Sequence, residues 1–233
     1  MQDYYNHIIQ DTPLLVTPEK TMYWQAANTV VLSDLHLGRS RKIKSGNVII
    51  HTPDYQHELQ RLMHQLYFFK AERLIILGDF TYSIINKIPE QFDNWRKNFS
   101  GMQIIWVKGK EDIIEEQWYR QHRVDIVYHI LNEGAFSFMY DINKYNALQT
   151  SSLITGYPVS GHLQPTISRK IDGVQQADLP CFYFTHEKCL LPAFSGYGKG
   201  HKVKQQAGED VYAVINNSLE YIRKLSRKKR TAI

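Results

Sequence analysis

Two motifs with metal-binding side chains follow apolar stretches of the sequence. Asp34 and His36 come directly after one apolar run, and Asp79 follows the run Arg73–Leu77 and a glycine. Such runs are typical of buried strands, and open α/β sheets bind ligands beyond the carboxyl ends of their strands. Because the Asp-x-His spacing on an extended backbone points both side chains the same way, a carboxylate and an imidazole can reach one divalent cation. The motifs therefore predict a metal site.

Two later motifs extend this set. Residues 109–112 read Gly-Lys-Glu-Asp after another apolar run, and residues 161–164 read Gly-His-Leu-Gln. Each motif alone is weak, since an acidic residue after a strand usually caps a helix. The motifs become informative together, because they place polar side chains at successive strand ends, where a ligand would bind.

The first half of the chain contains the elements that must position these motifs. Apolar residues recur at helical spacing in two segments, and continuous β-like runs separate them. The predicted helices are 53–70 and 89–98, and the predicted strands are 14–16, 21–24, 29–32, 73–77 and 103–107. A repeated alternation of strand, helix and strand is typical of parallel crossover units.

The second half of the chain is rich in short strands. Glycine, asparagine and proline separate its apolar runs, and His186-Glu187-Lys188 reads as a hairpin loop. The predicted strands are 136–140, 166–171, 181–185, 189–191 and 211–215, followed by a helix at 218–225. We predict an α/β fold of two packed sheets with helices outside, in one domain at 1–222, followed by a basic tail at 223–233.

Composition excludes several classes of protein. Hydrophobic residues make up 43% and charged residues 22% of the 233 residues, which is ordinary for a globular protein and unlike a disordered or fibrous one. The net charge of +5 permits an anionic partner such as nucleic acid. No apolar run is long enough to span a membrane and no export signal opens the chain, so we expect a cytoplasmic protein. Cys181 and Cys189 are then expected to be reduced core thiols.

The four motifs resemble a known signature. Asp-x-His, Gly-Asp, Gly-Asn-His-Asp and Gly-His-x-His mark the calcineurin-like metallophosphoesterases, which this chain resembles from about residue 22 to residue 200. It resembles more closely the bacterial ligase-associated DNA damage response endonucleases, through Tyr23-Trp24, Leu-Pro-Cys-Phe at 179–182 and Leu-Pro-Ala-Phe at 191–194. The resemblance implies a four-layer αββα sandwich of two mixed sheets flanked by helices. It also implies a two-cation site for phosphodiester hydrolysis and a link to DNA repair.

The resemblance assigns the metal ligands residue by residue. It implies that Asp34, His36 and Asp79 bind a first cation, with Asp79 bridging to a second cation that His162 also binds. Gln164 stands where the family has a histidine ligand, and an amide oxygen is a poorer ligand than imidazole for a transition metal.

Other positions depart from the signature. Lys110 stands where an asparagine oxygen binds the second cation, and a lysine ammonium has no acceptor atom. We hypothesise that this ammonium pairs with Asp79 and takes part of the second cation's volume. Glu111 replaces a histidine that in the family protonates the leaving group or stabilises the transition state, whereas a carboxylate beside phosphate repels rather than donates. The catalytic positions of the motif thus fall on Glu111, which would act as an acid only if it stays protonated, and on Asp112 in a supporting role. Tyr140 is the best local match to a further histidine ligand.

Three functional hypotheses remain open. The first is a degenerate metallophosphoesterase, weak or inactive, with one divalent cation (Mn, Fe or Zn) or none. The second is a working one-cation phosphodiesterase or endonuclease whose substrate is DNA or another phosphodiester. The third is a pseudoenzyme that serves as an interaction module, with DNA-repair proteins as partners.

Overall fold

The structure, a computed structural model, describes most of the chain. The described residues are 4–37, 40–45, 48–53, 55–81, 88–110, 112, 114–145, 151–171, 174–175, 178–195 and 200–222. Glu111 and the predicted basic tail 223–233 lie outside these residues.

Strands dominate the described part of the chain, and helices are confined mainly to its first half. The strands are β1 (Tyr5–Ile9), β2 (Thr12–Val16), β3 (Met22–Trp24), β4 (Thr29–Ser33), β5 (Ser40–Ser45), β6 (Val48–Pro53), β7 (Arg73–Leu77), β8 (Gln103–Val107), β9 (Val124–Val127), β10 (Ile130–Glu133), β11 (Phe136–Met139), β12 (Tyr157–Ser160), β13 (Pro165–Ile167), β14 (Lys170–Ile171), β15 (Val174–Gln175), β16 (Leu179–Phe184), β17 (Cys189–Leu190), β18 (His201–Lys202), β19 (Asp210–Ile215) and β20 (Ser218–Ile222). The helices are α1 (Tyr55–Phe69), α2 (Ile88–Asn98), α3 (Glu116–Gln121) and 3-10 turns at Gln25–Ala27, Ile142–Tyr145 and Ser151–Leu153.

The first sheet brings two of the predicted motifs to one edge. Its strand order is β1-β2-β3-β4-β7-β8-β9, and β4, β7, β8 and β9 run parallel. Ser33 pairs with Leu77, and Leu77 with Val107, so these three strands end level with one another. The residues that follow them therefore emerge side by side at the carboxyl edge, as the crossover pattern predicts.

The second sheet delivers further residues to the same place. Its order is β10-β11-β12-β17-β16-β13-β18, with β19 between β16 and β20. The parallel strands β11, β12 and β17 end level at Met139, Ser160 and Leu190. An isolated parallel bridge between Ser33 and Ala193 joins the segment after β17 to the end of β4. The carboxyl edges of the two sheets therefore meet.

Alternating side chains on the central strands divide the core into layers. Val30 and Leu32 of β4 pack against α1 and α2, whereas Val31 between them packs against the second sheet. A third apolar cluster covers the outer face of the second sheet, where Ile142 and Tyr145 of a 3-10 turn contribute. The predicted sandwich of two mixed sheets flanked by helices is confirmed, with the three α-helices beside the first sheet.

One prediction near the end of the chain is wrong, and one strand near its start was not predicted. The predicted helix 218–225 is strand β20 as far as it is described, and strand β1 lies in the segment before residue 10, for which the sequence predicted no element. Both form hairpins through two-residue turns, Gln10-Asp11 (φ 47° and 60°) and Asn216-Asn217 (φ 46° and 61°). Turns of this type need two left-handed residues, and glycine, the usual signal, is absent from both.

The hairpin between β16 and β17 matches its prediction. The Thr185 N–H donates to the Lys188 carbonyl and closes the loop at residues 185–188. Cys181 and Cys189 on these strands are buried and unbridged, as predicted. Burial raises the pKa of the Cys181 thiol to about 12. None of the helices in the described residues is long and apolar enough to cross a membrane.

Candidate metal centre

Three predicted ligands meet where the two sheets join. Asp34 and His36 lie just beyond β4, and Asp79 lies just beyond β7. One potential ligand atom from each lies within 4.8 Å of the others, and the three residues are only 0%, 4% and 3% exposed. Two carboxylates and an imidazole enclosed in this way form a donor set suited to a divalent transition metal.

Left-handed backbone, rather than the predicted extended backbone, brings Asp34 and His36 together. Their φ angles are 50° and 49°, a region that costs a non-glycine residue roughly 1–2 kcal/mol. The Asp34 and His36 N–H groups donate to the carbonyls of Leu77 and Asp79 at 3.1 and 3.0 Å, which holds the segment against the end of β7. Strain at adjacent ligand positions is typical of a functional site.

Asp34 has an oxygen that no donor in the described part of the chain satisfies. Its Oδ2 accepts a hydrogen bond from the Ser33 hydroxyl at 3.1 Å, whereas Oδ1 is buried without a hydrogen-bond partner. Burial is the main cause that raises the pKa of Asp34 to about 6, and the negative charge of Asp79 adds to the rise. His36, Ser33 and Gln164 oppose it. A buried carboxylate oxygen without a donor is the atom that a cation would satisfy.

A serine that the sequence motifs did not include orients His36. Ser195 Oγ lies 2.9 Å from His36 Nδ1, while His36 Nε2 faces Asp79 Oδ2 at 3.6 Å. The Phe194 and Ser195 N–H groups donate to the carbonyls of Ser33 and Asp34, which anchors this segment beside β4. Metal-binding histidines generally donate their second ring N–H to such a partner. The signal in the sequence was the Leu-Pro-Ala-Phe segment that immediately precedes Ser195.

Asp79 accepts hydrogen bonds at both oxygens. The Lys110 backbone N–H donates to Oδ1 at 2.9 Å, and the Tyr140 hydroxyl donates to Oδ2 at 2.9 Å. A Cβ at Gly109 would lie 2.2 Å from Oδ1, so a glycine is required there for the backbone to approach Asp79. The Lys110 side chain is exposed, and no ion pair involves its ammonium among the described residues. The backbone of Lys110, rather than the hypothesised ammonium, thus contacts Asp79.

Tyr140 lies between Asp79 and His162. Its hydroxyl is 2.8 Å from His162 Nδ1 as well as 2.9 Å from Asp79 Oδ2, and the tyrosine is only 6% exposed. The ring packs against Gly78 (φ 87°), where a Cβ would lie 2.1 Å from a ring carbon. Because the single hydroxyl proton is donated to Asp79, His162 Nδ1 must carry the proton of the second hydrogen bond.

Gln164 lies on the first-cation side of the site. Its side chain opposes the rise in the pKa of Asp34, the effect expected of a hydrogen-bond donor to that carboxylate. His162 and Gln164 also have left-handed φ angles, 57° and 47°. The left-handed backbone conformation is therefore shared by Asp34, His36, His162 and Gln164. The motif spacing did not indicate it.

Asp112 supports the loop that carries Asp79. Its Oδ1 accepts hydrogen bonds from the Phe80 and Thr81 N–H groups, both at 2.8 Å, and from the Tyr119 hydroxyl at 3.3 Å. Its Oδ2 is buried without a hydrogen-bond partner in the described residues. Burial is the main cause that raises the pKa of Asp112 to about 7. Asp112 therefore holds the backbone at Phe80 and Thr81, and its supporting role in the site stays a prediction.

The raised pKa of Asp112 predicts a specific pH dependence of stability. The folded chain binds this proton more tightly than the unfolded chain, so the stabilisation is complete in acid and is lost as the pH rises through about 7. The wild type should lose roughly 2–4 kcal/mol of its free energy of unfolding as the pH rises. Asp112→Asn, which mimics the protonated acid, should not show this loss. Urea unfolding in EDTA at about pH 5 and about pH 8 measures it. The exposed Asp125→Asn should keep the wild-type slope, and an unchanged slope in Asp112→Asn would contradict the assignment.

This chain resembles a known protein in its fold rather than in its sequence. No protein-family model and no curated protein matches the sequence. The crystal structure of the Pseudomonas putida nuclease MPE aligns with a TM-score of 0.73 at 19% identity, covering 94% of this chain and 100% of that chain. This chain has the fold of that nuclease.

Within this fold, the predicted site residues fall into separate groups. Asp34, His36 and Asp79 form the buried cluster, with Gln164 beside Asp34. His162 is joined to that cluster through Tyr140 rather than directly. Asp112 lies behind the loop, Lys110 contacts Asp79 through its backbone, and Glu111 lies outside the described residues.

Proposed function

We propose that this chain is a metal-dependent phosphodiesterase that uses a single divalent cation and acts on nucleic acid. The observation that carries the proposal is Asp34 Oδ1, a buried carboxylate oxygen without a hydrogen-bond donor among the described residues, beside potential ligand atoms of His36 and Asp79. The fold of the Pseudomonas putida nuclease supports the choice of substrate. Mn²⁺, Fe²⁺ and Zn²⁺ all suit a site of two carboxylates and one imidazole.

The Tyr140 hydroxyl supports a site for one cation rather than two. It lies within hydrogen-bond distance of both Asp79 Oδ2 and His162 Nδ1, atoms of the two residues that the resemblance assigns to a second cation. A protonated Nδ1 has no lone pair for a metal. The position that the resemblance assigns to a second cation is thus filled by a neutral hydroxyl.

The chain's own residues supply orientation and proton handling. A bound divalent cation would supply Lewis-acid polarisation of a phosphoryl oxygen and acidify a water molecule. Asp34 and Asp79 hold the balancing negative charge, and Ser195 keeps His36 in one orientation. The His162 side chain is 39% exposed and its Nε2 lies 3.8 Å from Asp141 Oδ2, and it can take up a proton and pass it to a leaving-group oxygen.

One-cation chemistry predicts slow turnover. Replacing a second cation by a neutral hydroxyl removes positive charge from the place where the phosphoryl oxygens develop negative charge. The acid role of Glu111, the link to DNA repair and the cytoplasmic location remain predictions from the sequence. The rival proposal, an interaction module with a vestigial cleft, requires neither metal nor turnover.

Metal stoichiometry and turnover, measured together, test the proposed function. Protein purified in Mn²⁺ and then dialysed should retain about one ion per chain by plasma emission spectroscopy. It should hydrolyse bis(p-nitrophenyl) phosphate and single-stranded DNA slowly, and EDTA should stop both reactions. Absence of retained metal together with absence of Mn²⁺-dependent turnover would reject the proposal and favour the interaction module.

A further inference from the structure

A groove of about 510 Å³ lies next to the candidate metal centre, on the outer face of the second sheet. Leu163, which lines it, stands between His162 and Gln164 in the chain. The backbone N–H of His201, another lining residue, donates to the carbonyls of Leu163 and Gln164, both at 3.0 Å. The groove wall and the loop that carries two predicted site residues are therefore tied together.

The groove extends from the loop that carries His162 and Gln164 to the hairpin loop 185–188. Leu190 lines it at the carboxyl end of β17, and the hairpin loop 185–188 lines it before β17 begins. Since β17 runs parallel to β12, and β12 leads directly into His162, one end of the groove lies beside that histidine. A linear ligand bound along it would have one end beside the loop that carries His162 and Gln164.

Basic side chains predominate along the groove. They are Lys188, Lys202, Lys204, His186 and His201. Of the two lining carboxylates, Glu209 accepts hydrogen bonds from the Tyr183 hydroxyl and the Gln206 N–H, both at 2.5 Å, and Glu187 lies 3.5 Å from His186 at the loop tip. Lys202 also pairs with Asp178 at 3.0 Å, on an exposed surface where such pairs contribute little. The rim is therefore suited to a polyanion.

The floor of the groove is apolar. Leu163, Leu190, Val203 and Tyr183 lie between the basic side chains and belong to the outer apolar cluster. An apolar floor between cationic rims matches unstacked nucleobases whose phosphates lie at the edges. The groove volume lies within the range of ligand pockets, about 300–1,000 Å³.

We propose that this groove binds a single nucleic acid strand and leads its phosphodiester backbone to the metal centre. The direction of the strand rests on the proposed function. Strand binding itself requires neither the cation nor turnover, so it is measurable when both are absent. Neutralising or reversing the rim charges should therefore weaken binding without any change at Asp34, His36 or Asp79.

Fluorescence anisotropy in EDTA, with a labelled oligothymidylate of roughly 15 nucleotides, measures strand binding alone. The triple variant Lys188→Glu/Lys202→Glu/Lys204→Glu should raise Kd more than tenfold. Its slope of log Kd against log salt should fall by about 2, because each lost phosphate contact removes about 0.7 from the slope. The milder pair Lys188→Gln/Lys204→Gln, which keeps the surface polar, should raise Kd by about three- to tenfold.

A matched control reverses three charges far from the groove. Lys70, Lys97 and Arg123 are exposed and precede β7, β8 and β9, at the opposite end of the first sheet. Changing all three to glutamate should alter Kd by less than about threefold. Equal losses in the groove and control variants would overturn the proposal, as would equally tight binding of a duplex of the same length or equal competition by polyglutamate.

The outcome separates this proposal from the proposed function. If the wild type shows no turnover but the groove variants alone lose strand binding, the groove assignment stands and the phosphodiesterase assignment fails. If the wild type hydrolyses DNA and the groove variants bind the strand as tightly as the wild type, only the groove assignment fails.

Discussion

Asp79→Asn is expected to abolish Mn²⁺ retention and Mn²⁺-dependent phosphodiester hydrolysis while the fold persists. Asp79 belongs to the buried cluster with Asp34 and His36, and it also accepts hydrogen bonds from the Lys110 N–H and the Tyr140 hydroxyl. Loss of a residue that hydrogen-bonds a metal ligand typically weakens metal binding by about 10–100-fold. Loss of a charged ligand itself should therefore weaken Mn²⁺ binding by more than about 100-fold. Isothermal titration with Mn²⁺ measures this change directly.

The stability of Asp79→Asn distinguishes a lost ligand from a damaged fold. Asp79 helps to raise the pKa of Asp34, which shows that the two carboxylates repel one another. Removing one charge should leave the metal-free variant as stable as the wild type or more stable. The wild type should gain about 2.7 kcal/mol at Mn²⁺ concentrations 100 times its Kd, and the variant should gain nothing. Wild-type Mn²⁺ affinity in Asp79→Asn would rule out the proposed centre, and the exposed Asp125→Asn is the matched control.

The double variant Tyr140→His/Lys110→Asn is expected to bind about two Mn²⁺ ions per chain instead of about one. Histidine is shorter than tyrosine, so the substitution withdraws the hydroxyl from between Asp79 Oδ2 and His162 Nδ1. The new imidazole and the asparagine oxygen would add ligands where the natural residues offer a hydroxyl and an ammonium. Plasma emission gives the stoichiometry, and the electron paramagnetic resonance spectrum reports spin coupling between neighbouring Mn²⁺ ions.

Tyr140→Phe is the matched control for this gain of a cation. It keeps the ring that packs on Gly78 but removes the hydroxyl and adds no ligand, so the stoichiometry should stay at about one. Losing two buried hydrogen bonds should cost roughly 1–3 kcal/mol of stability. Two ions in the wild type, or one ion in a folded double variant, would show that Tyr140 does not determine the metal count.

The position of the three clustered ligands was predictable from the sequence because it depends on a local rule. Asp34, His36 and Asp79 follow apolar runs, and the parallel strands β4 and β7 end level at Ser33 and Leu77. Side chains just beyond such ends lie close together whichever residues fill the rest of the sheet. The strands Arg73–Leu77 and Gln103–Val107 were predictable with their bounds, because continuous apolar runs between helices are typical of parallel strands buried on both faces.

Contacts between the two sheets were not predictable in this way. Ser195 meets His36 across 159 positions of sequence, and Tyr140 meets Asp79 across 61. These contacts depend on how the carboxyl edges of the sheets meet, which the Ser33–Ala193 bridge determines. The pairing of Lys110 with Asp79 through its backbone, rather than its ammonium, likewise depends on the close approach that Gly109 allows.

The sequence by itself thus determined the fold class and the three buried residues that could bind a metal ion. The tertiary structure decided that the Tyr140 hydroxyl lies between Asp79 and His162, and that Ser195 orients His36. The physical reason is range: periodicity and strand-end rules act over a few residues, whereas a hydrogen bond between the edges of two sheets depends on the packing of the whole sandwich.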